Sequence, residues 1–220
     1  MSQTVNTVGI FSTPFSVVTL EHAWNDALQE TLAKRYAKAT AAQVGVKPAL
    51  CYESADDLWV NAEPAVAELA RAMMAGMSDM VAQITEQPAD ILPRLRIESR
   101  ASFARIDQHG WLSARLQRNT AWVAVYCVAA PSQQGTRHDD GVLRLYEHRL
   151  GTMFADATHS DLLLPYRHGH VTWKPVVGQM AVFPGSVTHE IATVRSAGPL
   201  ILVAAKVRYV GEQQTGVAWW

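Results

Sequence analysis

The hydrophobic pattern of the chain changes near Pro93, and this change constrains the fold more than any other feature. Before it, apolar residues recur at steps of three and four, which is the period of one helix face. After it, no long helical period returns, and six short runs are separated by turn residues: 99–106, 121–128, 141–146, 170–174, 179–183 and 200–210. Short strands in succession, with Gly, Pro and Asp between them, indicate an antiparallel sandwich or barrel.

The N-terminal part is predicted to hold an edge strand and two helices. Residues 8–19 are rich in β-branched side chains but contain Pro14, which confines a strand to a sheet edge or to its own beginning. A first helix is expected over 20–42 and a connector over 45–57. A second helix follows Asn61, a candidate N-cap, with Pro64 in its first turn. Its methionine stripe is typical of core packing.

These elements predict one α+β domain in the 220 residues, with the helices packed on the sheet. We expect a strand and helical part at 1–92, a β core at 93–212 and a tail at 213–220. The tail ends in Trp219 and Trp220, which expose a large apolar area unless they dock on the sheet or on a partner chain. A homodimer is therefore one of the open alternatives.

Composition excludes several classes of partner. The chain has 19 Lys and Arg against 20 Asp and Glu, so no basic surface for nucleic acid is expected. Cys51 and Cys127 are far apart and form no C-x-x-C pair, which predicts two reduced thiols rather than a disulfide or a cysteine metal site. Met1–Thr7 shows no secretory pattern and no run reaches the ~20 apolar residues of a membrane span, so a cytoplasmic protein is expected.

The candidate metal ligands lie in the β part. Asp107-x-His109 is at a strand end, His168-x-His170 is in a loop between strands, and His189 follows a Pro-Gly turn. Alternate strand residues project to one side, so a His-x-His or His-x-Asp pair with one distant His can form the facial site of non-haem iron. His168 and His170 are interpreted as loop surface.

Several segments are similar to motifs of one enzyme family. Residues 10–14 (IFSTP) match an opening F-x-T-P strand, 122–128 (WVAVYCV) a core strand, and 141–151 (GVLRLYEHRLG) the pattern G-x-L-x-L-x-D-P-R-x-G. Residues 175–184 (PVVGQMAVFP) match P-x-x-G-x-L-v-x-F-P, which precedes the distal iron-ligand histidine, here His189. The chain thus resembles the bacterial 2-oxoglutarate/Fe(II)-dependent oxygenase-like proteins with a helical N-terminal part.

The resemblance implies a double-stranded β-helix (jelly-roll, cupin-like) core and an oxidoreductase that acts on a small molecule. It also implies Fe(II) and 2-oxoglutarate as cofactors, or none if the iron chemistry is lost. In that pattern Arg149 is a candidate cofactor-binding residue.

Two positions depart from the family. The family's His-x-His or His-x-Asp pair lies seven and five residues before the residue corresponding to Trp122, where this chain has Arg115 and Gln117. Arginine offers only donors, so Arg115 cannot ligate a metal. The family's 2-oxoglutarate arginine lies about ten residues after the distal histidine, where this chain has 198–200 (GPL). Candidates for that role are Arg195, Lys206 and Arg208.

Three hypotheses follow. The first is an oxygenase-like oxidoreductase with a relocated iron site of His189, His109 and Asp107. The second is a jelly-roll protein without iron, an enzyme or a binder, that holds an anionic small molecule around Arg115, Gln117 and His189, because replacing a His and Asp pair by Arg and Gln adds about two positive charges. The third is a structural or interaction subunit that uses the tryptophan tail.

Overall fold

The computed structural model describes residues 12–21, 23–41, 50–60, 62–87, 90–132, 138–146 and 169–211. The helices are α1 (Asn25–Ala41) and α2 (Pro64–Ile84), and a short 3₁₀ turn covers Leu92–Arg94. The strands, in chain order, are β1 (Ser16–Thr19), β2 (Cys51–Glu53), β3 (Arg96–Ile106), β4 (Leu112–Arg115), β5 (Trp122–Ala129), β6 (Leu143–Tyr146), β7 (His170–Trp173), β8 (Gln179–Pro184), β9 (His189–Ile191) and β10 (Leu200–Val210).

The strands form two antiparallel sheets. The larger has the order β1-β8-β5-β10-β3-β2 and the smaller has the order β4-β9-β6-β7. Buried residues of both sheets share one apolar cluster, which includes Cys127, Leu143 and Leu202. The sheets therefore pack face to face, as the succession of short strands predicts.

Alternation along β10 shows how the larger sheet separates two layers. Ile201 and Val203 face the helices, in a cluster with Leu28 of α1 and Met73 of α2. Leu200 and Leu202 face the smaller sheet. Because side chains alternate along the strand, both faces of the larger sheet are buried. The α2 methionines pack between the helices and this sheet, as predicted.

A buried polar contact fixes α1 on β5. Asn25 is the first residue of α1, and its side-chain amide donates to the carbonyl of Val128 at 2.9 Å. The Tyr126 hydroxyl donates to the Asn25 carbonyl oxygen at 3.1 Å. Because both partners lie on β5, this contact sets where the helix begins on the sheet.

Several boundaries differ from the sequence predictions. The first helix begins at Asn25 rather than near residue 20, and β2 lies inside the predicted connector. β4 and β9 were not predicted either, because three or four residues with polar members carry no apolar run of their own. Asn61, Arg149, His168, Trp219 and Trp220 lie outside the described residues. No described helix is long and apolar enough to cross a membrane.

Candidate functional site

The space between the sheets changes from apolar to charged along its length. On β10, Leu200, Leu202 and Ala204 face the smaller sheet, and Lys206 is the next residue on that side. Lys206 is opposite Val123 on β5, and Val123 is opposite Phe183 on β8. The Phe183 ring lies 4.9 Å from the ring of His189. We call this end the mouth, and define it by Glu53, Asp56, Arg115, His189 and Lys206.

Arg115 and His189 are direct neighbours across the smaller sheet. The antiparallel pairing of β4 with β9 makes them Cα partners. Gln117 follows two residues later, and its peptide N–H donates to the carbonyl of Gly185 at 2.9 Å. Arg115, the residue found by counting seven positions back from Trp122, therefore lies beside the histidine that the family pattern marks as a metal ligand.

The guanidinium of Arg115 is held by a carboxylate of the other sheet. Its two terminal nitrogens donate to the oxygens of Glu53 at 2.7 and 2.5 Å. This forked geometry fixes the orientation of the guanidinium as well as its position. The hydrogen bond to Glu53 raises the pKa of Arg115 above its usual value, against the opposing effect of burial. Arg115 is therefore a fixed positive charge.

A second ion pair lies in the same region. The ammonium of Lys206 donates to both oxygens of Asp56, at 2.7 and 2.6 Å. Asp56 follows β2 by three residues, so one short segment provides the carboxylates of both pairs. The two cations come from different sheets, and the two anions come from one edge.

His189 is kept neutral by its surroundings. It is 7% exposed, and its Nδ1 lies 2.9 Å from the carbonyl of Val187. Burial is the main cause that lowers the pKa of His189 below 6.5, and the charges of Arg115 and Lys206 lower it further. The Val187 hydrogen bond and Glu53 oppose this shift. When Nδ1 donates to Val187, the acceptor lone pair of the neutral ring is on Nε2.

The described residues do not fit an iron centre. They contain no group of three His, Cys, Asp or Glu that could hold a metal ion, so Asp107, His109 and His189 do not converge. The Asp107 carboxylate instead accepts from Arg105 at 3.1 Å, and His109 is exposed with a positive φ of 71°. The positive charge of Arg115 opposes a divalent ion beside it, and the paired Glu53 carboxylate offsets part of that repulsion.

The candidates for the 2-oxoglutarate clamp separate in the structure. Lys206 is in the mouth. Arg195 is exposed, and its guanidinium lies 3.8 Å from the Asp139 carboxylate. The stretch that corresponds to the family's arginine, 198–200, ends in Leu200, which is 1% exposed within the apolar cluster between the sheets. The charge of Lys206 is among the causes that lower the pKa of His189.

The mouth also contains residues that the sequence did not single out. Glu53 and Asp56 lie in the connector that the sequence predicts at 45–57. The only sequence feature that could have pointed to them is the group of acidic residues at 53–57. Cys51 lies on the same short strand, where burial is the main cause that raises its thiol pKa to about 11. A thiol with such a pKa is protonated at neutral pH and is a poor nucleophile.

Comparison with known proteins identifies the fold. No protein-family model matches the chain, and no curated protein matches its sequence. Among solved structures, it is similar to HygX from Streptomyces hygroscopicus with nickel, 2-oxoglutarate and hygromycin B bound. The TM-score is 0.57 at 14% identity, over 95% of this chain and 86% of that one. A Pseudomonas putida prolyl-4-hydroxylase gives 0.54 at 16% identity, over 90% and 93%.

A third similar structure is SnoN, a non-haem α-ketoglutarate-dependent epimerase from nogalamycin biosynthesis. Its TM-score is 0.51 at 12% identity, over 94% of this chain and 84% of SnoN. The chain therefore has the fold of the 2-oxoglutarate/Fe(II)-dependent oxygenases, the superfamily that the sequence motifs predict. HygX has been solved with iron bound and, separately, with nickel and 2-oxoglutarate bound.

Proposed function

We propose that the chain is an oxygenase-like protein that binds a small organic anion at the mouth and does so without an iron centre. The observation that carries the proposal is the pairing of Arg115 with His189, because it puts a permanent cation beside the residue that marks the family's metal site. We also infer that the two sheets form a double-stranded β-helix. Their four-plus-four core, β8-β5-β10-β3 and β4-β9-β6-β7, supports this.

The donors of the two cations in the mouth support an anionic ligand, which would take the place of Glu53 or Asp56 as their partner. Arg115 offers paired N–H donors, which suit a carboxylate or a phosphate, and Lys206 adds a second positive charge. Both already hold carboxylates, those of Glu53 and Asp56. The side chains of Arg115 and Lys206 are 36% and 21% exposed, so a ligand can reach them from solvent.

The proposal is tested by calorimetric titration with succinate, 2-oxoglutarate and inorganic phosphate in buffer containing EDTA. The Arg115→Ala variant is expected to bind at least about tenfold more weakly, because a lost charge-assisted hydrogen bond costs about 1.5–3 kcal/mol. Arg195→Ala is the matched control, since Arg195 is exposed and pairs with Asp139. Equal affinity in wild type and Arg115→Ala would contradict the proposal.

A second candidate is an Fe(II)-dependent oxygenase that uses 2-oxoglutarate and a non-standard ligand set including His189. The similarity to HygX, solved with iron, favours it. Its test is aerobic formation of succinate from 2-oxoglutarate with and without Fe(II). Turnover that requires Fe(II) and is lost in His189→Ala would favour this candidate over the first.

A further inference from the structure

We propose that the guanidinium of Arg115 substitutes for the metal ion of the fold, with Glu53 as its fixed carboxylate partner. Positions 115 and 117 are then latent ligand positions, and two substitutions there create a metal site with His189. This proposal rests on the absence of an iron centre, as the proposed function does. Metal binding tests this proposal and anion binding tests the proposed function, so one of them can fail while the other holds.

The geometry of β4 and β9 is the first argument. Arg115 ends β4, and beyond it the burial still alternates, with Arg115 and Gln117 half-buried and Leu116 between them exposed, which indicates that positions 115 and 117 share the inner side. His189 is the cross-strand partner of Arg115 and is buried on that side. A histidine at 115, an aspartate at 117 and His189 would provide the two imidazoles and one carboxylate of a facial metal site.

The balance of charge is the second argument. A metal centre combines a cation with neutral imidazole and carboxylate ligands. The mouth has the same parts in another arrangement. The Arg115 guanidinium is the cation, Glu53 is the carboxylate, and the His189 imidazole belongs to the cross-strand partner of Arg115. The Arg115 guanidinium is permanently paired with the Glu53 carboxylate, and its positive charge repels a divalent ion.

The third argument is the place of the ion pair in the fold. Glu53 is the last residue of β2, which is the edge strand of the larger sheet, and Arg115 ends β4, which is the edge strand of the smaller sheet. The Glu53–Arg115 pair therefore joins the two sheets across one open edge of the sandwich. The pair gives this edge a link that needs no metal.

The test is to rebuild the ligand set and measure metal binding. The double variant Arg115→His, Gln117→Asp is dialysed against Co(II) or Ni(II). Its bound metal per chain is measured and compared with that of wild type. We expect one ion per chain, bound at least about 100-fold more tightly than to wild type, with a metal-dependent rise in Tm. Adding His189→Ala to the pair is expected to weaken binding by at least about tenfold, because it removes one of the two imidazole ligands.

Glu53 provides a matched control. With Arg115 replaced, Glu53→Gln in the rebuilt variant is expected to leave the metal stoichiometry unchanged, because the carboxylate at 117 supplies the ligand. Loss of metal in that variant would overturn the assignment of position 117. Stoichiometric metal in wild type, or no saturable metal in a cooperatively folded rebuilt variant, would overturn the proposal.

Folding is checked by the unfolding transition without metal. If the double substitution does not fold, Arg115→His alone gives the test, because it supplies two of the three ligands. Saturable Ni(II) binding that His189→Ala removes is then expected. Its absence in a folded Arg115→His variant contradicts the proposal.

Discussion

The two ends of the space between the sheets are built on the same strands but differ in chemistry. At one end, Leu200 and Leu202 of β10 pack against Leu143 of the smaller sheet. At the mouth, four residues beyond Leu202 on the same side of β10, Lys206 joins a second cation and two carboxylates. We therefore expect the apolar end to supply most of the stability of the sandwich and the mouth to supply little.

The largest expected effect is at the apolar end. Leu143 is 1% exposed, and Leu143→Ala is expected to lower the free energy of unfolding by about 2–5 kcal/mol, because it removes buried contacts and leaves a cavity. Urea denaturation measures the change. The control is Arg115→Gln at the mouth, which we expect to cost no more than about 1 kcal/mol. Equal losses in the two variants would contradict the contrast.

The next effect concerns Asp140, beside the apolar end. Its carboxylate accepts from the peptide N–H groups of Arg195 and Ser196, at 2.6 and 3.1 Å, and from the Ser196 hydroxyl. Asp140→Ala is expected to cost about 1–3 kcal/mol, because the peptide N–H groups of Arg195 and Ser196 lose their partner and Ser196 is buried. Asp139→Ala is the matched control and should change stability by less than about 0.5 kcal/mol, since Asp139 is half-exposed.

The same carboxylate has a pH signature. Burial raises the pKa of Asp140, but the hydrogen bonds from Arg195 and Ser196 outweigh it and lower the pKa below 3.8. The folded state therefore binds this proton less readily than the unfolded state, so the stabilisation is complete above that value and is lost as the pH falls. The stability of Asp140→Ala should depend less on pH in the acid range than that of wild type.

A smaller pH effect is expected from His189. Its pKa is lowered in the folded state, mainly by burial, so the unfolded chain takes up this proton first as the pH falls. Stability should therefore decrease as the pH drops below about 6.5, the value of an unperturbed histidine. The His189→Gln variant should show a flatter profile between pH 7 and 5. Identical slopes would mean that His189 is not held neutral.

The smallest effect is the coupling between Glu53 and Arg115 without ligand. Both side chains are about one-third exposed, so a double-mutant cycle with Glu53→Gln and Arg115→Gln is expected to give a coupling energy of about 1 kcal/mol or less. A coupling of several kcal/mol would show that the mouth, like the apolar end, is part of what stabilises the sandwich.

The sequence predicts the long strands because their apolar residues form continuous runs. The predicted strand at 200–210 has the bounds of β10, and that at 121–128 differs from β5 by one residue at each end. β2, β4 and β9 carry Glu53, Arg115 and His189. The sequence does not predict them, because they are short, contain polar residues and have no apolar run of their own, so that pairing with neighbouring strands defines them.

The residues of the mouth likewise differ in whether the sequence can locate them. Arg115 and His189 could be located from motif spacing, because the family patterns fix their distance from core strands. Glu53 and Asp56 could not, since the partner of a cation is decided by which edge strand comes to lie beside it. The relocated set of His109 and Asp107 was plausible from spacing, but the turn after β3 exposes His109 and pairs Asp107 with Arg105.

The most direct test of the central claim is the iron content of the wild-type chain. The protein is dialysed anaerobically against excess Fe(II), washed and assayed for bound metal beside His189→Ala. If the mouth is a site for anions, wild type and variant will retain the same small, substoichiometric amount of iron. One iron per wild-type chain that is lost in His189→Ala would show that the mouth holds an iron centre, which contradicts the proposed function.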